Sequence, residues 1–243
     1  MTDRKKPVYQ GAGYCPICEC EVIFSADNEW FRDHLLCSRC ASIPRERALM
    51  RVLMEHFPGY RELKVHESSP VNRGVSNKLK TECPEYSSSH YFDQVQLGQT
   101  DPQSGLRCES LESLTYPDGS FDLFITQDVM EHVFDPARAF REICRVLKPG
   151  GAHVFTVPIV NRNSKTQVRA SRDESGEIIF HGSAEYHGND IDDSGSLVTM
   201  HWGYDIVAHI HEKTGMPSAI FVIEDLSQGI KAELIEVIIS WRV

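Results

Sequence analysis

Two cysteine pairs near the start of the chain, Cys15-Pro-Ile-Cys18 and Cys37-Ser-Arg-Cys40, constrain this sequence more than any other feature. Two residues inside each pair and eighteen between the pairs suit four thiolates at the corners of a tetrahedron around one Zn²⁺ ion. The short spacers turn backbone amides back toward the sulfurs. Four protein ligands close such a site, so its role is structural, with no open position for catalysis. The segment between the pairs, EVIFSADNEWFRDHLLC, alternates apolar residues as two short strands would. Residues 1–42 are therefore expected to form a zinc ribbon with ligands Cys15, Cys18, Cys37 and Cys40. Cys20 is the spare, either a surface thiol or a competitor of Cys18 for the ion. The other common use of clustered cysteines is a disulfide framework. It belongs to oxidising compartments, and no apolar segment follows MTDRKKPVYQ to serve as a secretory leader. No apolar run approaches the roughly 18 residues of a membrane span. A cytoplasmic chain with no membrane partner is the resulting expectation.

The formal net charge is −10, which opposes general nucleic-acid binding because the phosphate term is repulsive overall. Residues 1–64 are nearly balanced in charge, so a local basic surface is still open to the first segment. After the second cysteine pair, SIPRERALMRVLMEHFP reads as a linking helix within residues 43–62, with Ser42 as cap and Pro44 in the first turn. Ala48, Leu49, Val52, Leu53 and Phe57 form its apolar face. Arg45, Arg47 and Arg51 fall on other faces, as a solvated surface or as a contact for an anionic substrate or RNA.

From residue 63 onward strands and helices alternate. Strands are expected at 63–67, 86–92, 121–126, 152–158, 219–224 and 232–240, and helices near 71–81, 136–147 and 203–214. Near-continuous apolar strands separated by helices specify a parallel sheet covered on both faces. The clearest helix is DPARAFREICRVLKPGG, with Asp135 as N-cap, Pro136 at the first helical position, and Pro149-Gly150-Gly151 as its stop.

The stretch YPDGSFDLFITQDVMEHVFDPARAFREICRVLKPGGAHVFTVP (116–158) resembles class I S-adenosylmethionine-dependent methyltransferases of the type 11 kind. PDGSFD, the EHV turn and the RVLKPGG helix end occur in the family's order. The resemblance implies an α/β, Rossmann-like methyltransferase sheet over 63–243 with helices on both faces, preceded by the small ribbon. It also implies S-adenosylmethionine as cofactor. Glu67 stands where the family keeps an acid at the end of the first strand, and Ser68 and Ser69 stand where it prefers glycines. The cofactor carries no pyrophosphate, so a glycine cradle for phosphate is not required. His90 aligns with the family's ribose-binding acid, with Asp93 close behind it as a carboxylate. His90 is either that contact or a strand-end histidine. Glu109, Ser110 and Leu111 resemble the adenine-reading stretch, and Gln127, Asp128 and Val129 follow the fourth strand at its carboxyl end. His132 in the EHV turn is the candidate general base for a hydroxyl acceptor, or else a brace between loop and helix.

Residues 159–202 are long, polar and rich in histidine, glycine and aromatics, and are expected to be a substrate-lid insertion. Tyr186-His187-Gly188-Asn189 and His201-Trp202-Gly203-Tyr204 look like pocket chemistry, giving His187, His201, Trp202 and Tyr204 as acceptor-binding residues. The spacing of His181, His187 and His201 is too irregular to favour a second metal over a simple polar lid. The expected acceptor is a small molecule or glycan, by O-methylation. The alternatives are an RNA methyltransferase guided by the ribbon and a non-catalytic binding protein on the same fold. Oligomeric state is not encoded legibly.

Overall fold

The computed structural model describes residues 6–188 and 195–243; Asn189, expected in the pocket, lies outside the described residues. Three antiparallel strands come first, β1 (Tyr9–Cys15), β2 (Cys20–Ala26) and β3 (Leu36–Cys37), in the order β1–β2–β3. β1 runs from Tyr9 opposite Ala26 to Cys15 opposite Cys20. β2 and β3 are the two strands expected between the cysteine pairs, and β1 before them is an unexpected third. YQGAGYC carries two glycines and little apolar alternation, which hides β1 from the period-2 pattern. A one-turn helix, α1 (Phe31–His34), sits between β2 and β3. Helix α2 (Pro44–His56) follows, with Ile43 rather than Ser42 at its N-cap. The Glu46 carboxylate accepts the Ile43 N–H at 3.1 Å.

The main body is β4 (Val65–Ser68), α3 (Gly74–Glu82), β5 (Ser87–His90), β6 (Arg107–Cys108), β7 (Phe121–Gln127), α4 (Pro136–Val146) and β8 (Leu147–Thr156). Six short strands come next, β9 (Gln167–Val168), β10 (Ala170–Arg172), β11 (Ile178–Phe180), β12 (Tyr186–His187), β13 (Ser196–Leu197) and β14 (Met200–His201). The chain then returns through α5 (Ile206–Thr214), β15 (Ser218–Phe221) and β16 (Val237–Trp241). The large sheet has seven strands in the order β15–β16–β8–β7–β4–β5–β6. β8, β7, β4, β5 and β6 pair in parallel, while β16 is antiparallel to both of its neighbours.

Alternate residues of each central strand enter two different cores, as the pleat requires. Leu123, Ile125, Val154 and Ile239 pack with α2 and α3. Phe124, Phe155 and Ile238 pack with α4 and α5. Helices therefore cover both faces, as the continuous apolar strands imply. The α2 side also contains Cys15, Phe24 and Leu35 from the small N-terminal sheet, so that sheet shares one core with the large one. At α4 the Asp135 carboxylate accepts the Arg138 N–H at 2.9 Å, the cap that the sequence specifies.

Arg47 ties these parts together. It is fully buried and donates to the carbonyls of Leu35 (2.8 Å), Gly229 (2.7 and 3.1 Å) and Ser42. A buried guanidinium is tolerated only when its donors are met. Burial draws its pKa down to about 10, which still leaves it charged at neutral pH. Arg51 pairs with Glu55 and Asp225, both at 2.9 Å. Arg47 is therefore an internal fastener whose carbonyl partners no sequence spacing reveals, while Arg51 is paired nearer the surface, one turn on with Glu55 and across the fold with Asp225.

Candidate functional site

The carboxyl ends of the parallel strands share one edge, where open α/β sheets place ligands. Behind β4, Ser69 adopts a left-handed backbone (φ 57°) that normally favours glycine, and its N–H donates to the Ser89 carbonyl at 2.8 Å. Gly74 is left-handed too, and a Cβ there would lie 2.3 Å from Glu46 Oε2. The late glycine of this turn is thus required by the packing of α2 against the start of α3. Glu67 is fully buried. Its carboxylate accepts from Ser76 Oγ (2.7 Å), Gln127 Nε2 (2.8 Å) and Tyr86 OH (2.8 Å). Burial pushes its pKa up and these hydrogen bonds oppose the rise. Glu67 and Gln127 organise the turn from inside; neither carboxylate oxygen of Glu67 is left unbonded.

Past β5 a cavity of about 400 Å³ opens between Tyr91, Phe92, Asp93, Gln96, Ser110, Glu112, Ser113 and Arg138. Asp93 and Ser110 lie in its wall. His90 does not line it and instead meets the Phe92 ring edge-on, centroids 5.1 Å apart. Glu109 is closed off. It accepts from Arg107 Nε (2.7 Å) and from Thr115 N and Oγ1 (2.8 and 2.5 Å), so it braces its own loop. Leu111 packs into the α4-side core. Of the trio expected to read adenine, Ser110 lines the cavity, beside Glu112 and Ser113, while Glu109 and Leu111 do not.

On the other side of β7, Asp128 is left-handed (φ 52°) and accepts from Thr156 Oγ1 at 2.9 Å. Its other oxygen contacts Arg32 of α1 and lies 3.2 Å from Arg45 Nε. Burial raises its pKa, but the guanidiniums of Arg45 and Arg32 outweigh that and hold it at about 2. Val129 packs against the α4-side core. Glu131 is 2% exposed, and neither of its carboxylate oxygens has a hydrogen-bond partner among the described residues. Burial, and then the Asp128 charge, push its pKa up. His132 Nδ1 lies 2.9 Å from the Leu197 carbonyl, so Nδ1 carries the proton and Nε2 the lone pair. Burial lowers the pKa of His132, keeping the ring neutral at neutral pH.

The insertion brings His187 to His132, rings perpendicular at 5.4 Å. His201 Nε2 pairs with Glu185 at 2.8 Å, and Tyr204 OH reaches Glu236 at 3.3 Å beside Arg162. Trp202 is fully buried, with its indole N–H donating to the Met130 carbonyl at 3.1 Å. It is a core anchor and not a pocket wall, because no open face remains to it. His181 pairs with Ser171, apart from this group. Arg32, Glu185 and Glu236 escaped the sequence reading, and Arg45 was read only as a helix-face arginine, since no spacing links them to the turn after β7. Only the adjacency of Glu131 to His132 gave a signal.

The four cysteines converge as well. Cys15 Sγ lies 3.9 Å from Cys40 Sγ, and Cys18 Sγ lies 3.8 Å from Cys37 Sγ. Bonds of about 2.3 Å in a tetrahedron put sulfurs about 3.8 Å apart, so the set fits one Zn²⁺. Cys20 stands outside it, 3.0 Å from Arg39 NH1.

Residues 87–155 match the methyltransferase domain family. A glycine/sarcosine/dimethylglycine N-methyltransferase of Actinopolyspora halophila is 41% identical over 70 residues, 29% of this chain and 11% of that protein. A ubiquinone biosynthesis O-methyltransferase of Coxiella burnetii is 36% identical over 59 residues, 24% of each. The chain thus spans a quarter or less of the length of these relatives. A solved structure from Listeria monocytogenes, assigned as an S-adenosylmethionine-dependent methyltransferase, aligns with 80% of this chain and 98% of its own at 10% identity and a TM-score of 0.50. That likeness is one of fold. Residues 87–155 are thus similar to a methyltransferase domain, in a chain whose fold is like that of the Listeria monocytogenes structure.

Proposed function

We propose that the chain transfers a methyl group from S-adenosylmethionine to a hydroxyl of a small molecule or glycan. The observation that carries this reading is the cavity past β5. It lies at the carboxyl edge of the sheet, within and beside the family-matched segment, and Asp93, Ser110 and Ser113 offer the carboxylate and hydroxyls that a nucleoside needs. These residues fit the adenosine part. Ser68, Ser69, Asp128 and the backbone around them would hold the methionine end. When bound, the cofactor supplies an activated methyl on a sulfonium. The chain's own part is alignment and proton removal. His132 is neutral, with Nε2 as its accepting atom, which suits a hydroxyl acceptor better than an amine. Its neighbours His187 and His201 would meet the acceptor from the 159–202 lid, with Tyr204 beside them.

The division into a ribbon (1–42), a linking helix (43–62) and a catalytic domain (63–243) belongs to the same proposal, as does one structural zinc on Cys15, Cys18, Cys37 and Cys40. An RNA acceptor is disfavoured by the net charge of −10 and by the internal use of Arg45, Arg47 and Arg51. Among the described residues no helix is long and apolar enough to cross a membrane.

Calorimetry with S-adenosylmethionine and S-adenosylhomocysteine tests the reading. Both are expected to bind, and Asp93→Ala is expected to weaken both about tenfold through one lost charge-assisted hydrogen bond. Absence of binding by the wild type at millimolar ligand would overturn the proposal. Unchanged affinity in Asp93→Ala would move the ribose contact to another residue.

A further inference from the structure

Glu131, His132 and His187 come from two separated stretches of chain. Each offers a ligand atom, and the three atoms lie within 4.8 Å of one another. We propose that they bind a divalent first-row transition-metal ion on the acceptor side of the site, distinct from the four-cysteine cluster.

The Glu131 carboxylate is the first ground. It is 2% exposed, with both oxygens lacking a hydrogen-bond partner among the described residues, and Oε1 lies 3.8 Å from His132 Nε2. Buried carboxylates are ordinarily hydrogen-bonded, paired or bound to metal. The second ground is the outer contact of His132. Nδ1 donates to the Leu197 carbonyl at 2.9 Å, the kind of bond that fixes a metal-binding histidine with the other nitrogen turned to the ion. The third is Glu185, whose oxygens lie 3.4 Å from His187 Nε2 and 2.8 Å from His201 Nε2. It stands behind the lid histidine as an outer carboxylate.

The spacing needs little adjustment. Ligands about 2.1 Å from a shared ion sit roughly 3–4 Å from one another. His187 rides on the two-residue ladder of β12 with β13, which allows its ring to close that difference. Two imidazoles and one carboxylate favour Mn²⁺, Fe²⁺, Co²⁺ or Zn²⁺ over Mg²⁺, which prefers oxygen, and they leave coordination positions open. On the methyltransferase reading, on which only this step rests, an acceptor hydroxyl would take one of those positions and lose its proton to solvent water more readily. His132 Nε2 would then act by holding the ion, and not by taking the proton itself.

The test uses the full chain with its cysteine site loaded with zinc. Mn²⁺ is titrated and the free ion followed by electron paramagnetic resonance. Wild type is expected to bind one Mn²⁺ per chain. His187→Ala and Glu131→Gln should each weaken binding by about tenfold or more with unchanged circular dichroism, while His181→Ala, which lies apart, should bind as wild type does. Absence of Mn²⁺ and Co²⁺ binding by wild type at millimolar metal would overturn the proposal, as would wild-type affinity in His187→Ala. This readout involves neither cofactor nor methyl transfer, so it can fail while the methyltransferase reading stands, and the reverse.

Discussion

Two segments of similar length are added to the same sheet, residues 9–40 before it and 159–202 after its fifth parallel strand, and they are held in opposite ways. The first is fixed by converging cysteines, by a core shared with β4, β7 and β8, and by the buried guanidinium of Arg47. The second is a set of ladders two or three residues long. Its hairpin β10–β11 leaves Ile178, Ile179 and Phe180 exposed. Its return path is pinned by Thr199 Oγ1, within hydrogen-bonding reach of the Glu131 and Val133 carbonyls (3.0 and 2.5 Å), and by Trp202, which donates to that of Met130. The difference teaches where this fold keeps order. The segment that sends Arg32 to Asp128 is held firmly, while the segment that carries His187 and His201 is built of short ladders.

The largest test of this contrast is Cys37→Ser. Structural zinc contributes on the order of 10 kcal/mol to small modules, and here the module's core is continuous with that of the sheet. Calorimetry should therefore show one transition, shifted down as a whole. A small early transition ahead of an unshifted main one would break the contrast. Next comes Arg47→Met, which strands the carbonyls of Leu35, Ser42 and Gly229; a loss of about 3–5 kcal/mol in urea unfolding is expected.

Acid tests the sheet that both segments share. His66 and His153 are buried, and burial takes each from an ordinary 6.5 down to about 3. Between those values the unfolded chain holds protons that the folded chain does not. Each histidine should therefore cost about 1.4 kcal/mol of stability per pH unit as pH falls below about 6.5, until it titrates near 3. Urea midpoints at pH 6.5, 5.5 and 4.5 should fall steadily, and His66→Phe should flatten the slope. A flat profile in wild type would refute the assignment. The smallest effect belongs to the β10–β11 hairpin: Ile179→Ser should change stability by no more than about 0.5 kcal/mol, and a loss above about 2 would mean that the hairpin is buried after all.

Much of the architecture was readable because it rests on local chemistry. β7 and α4 followed from an apolar run and from Asp135-Pro136, and the sulfur cluster followed from spacing alone. β1 and β6 were not readable, one being broken by glycines and the other only two residues long. At the candidate site, Gln127 and Asp128 drew attention because they stand at a strand end, and Glu67 because of its place before the turn. That Glu67, Glu109 and Trp202 face inward depends on Tyr86, Thr115 and Met130, partners fixed by the fold. Arg32 and Arg45 lie in segments whose pattern speaks only of strands and helix, so nothing in their spacing pointed to Asp128.

The clamp at Arg47 also has a bearing on how the chain is made. Leu35 and Ser42 offer their carbonyls as soon as the first helix can form, but Gly229 is synthesised 182 residues later. At translation rates of about 5–20 residues per second, the nascent N-terminal segment must wait roughly 9–36 seconds with a half-satisfied cation at its centre. It can hold metal early, yet it cannot finish packing until the turn before the last strand has left the ribosome.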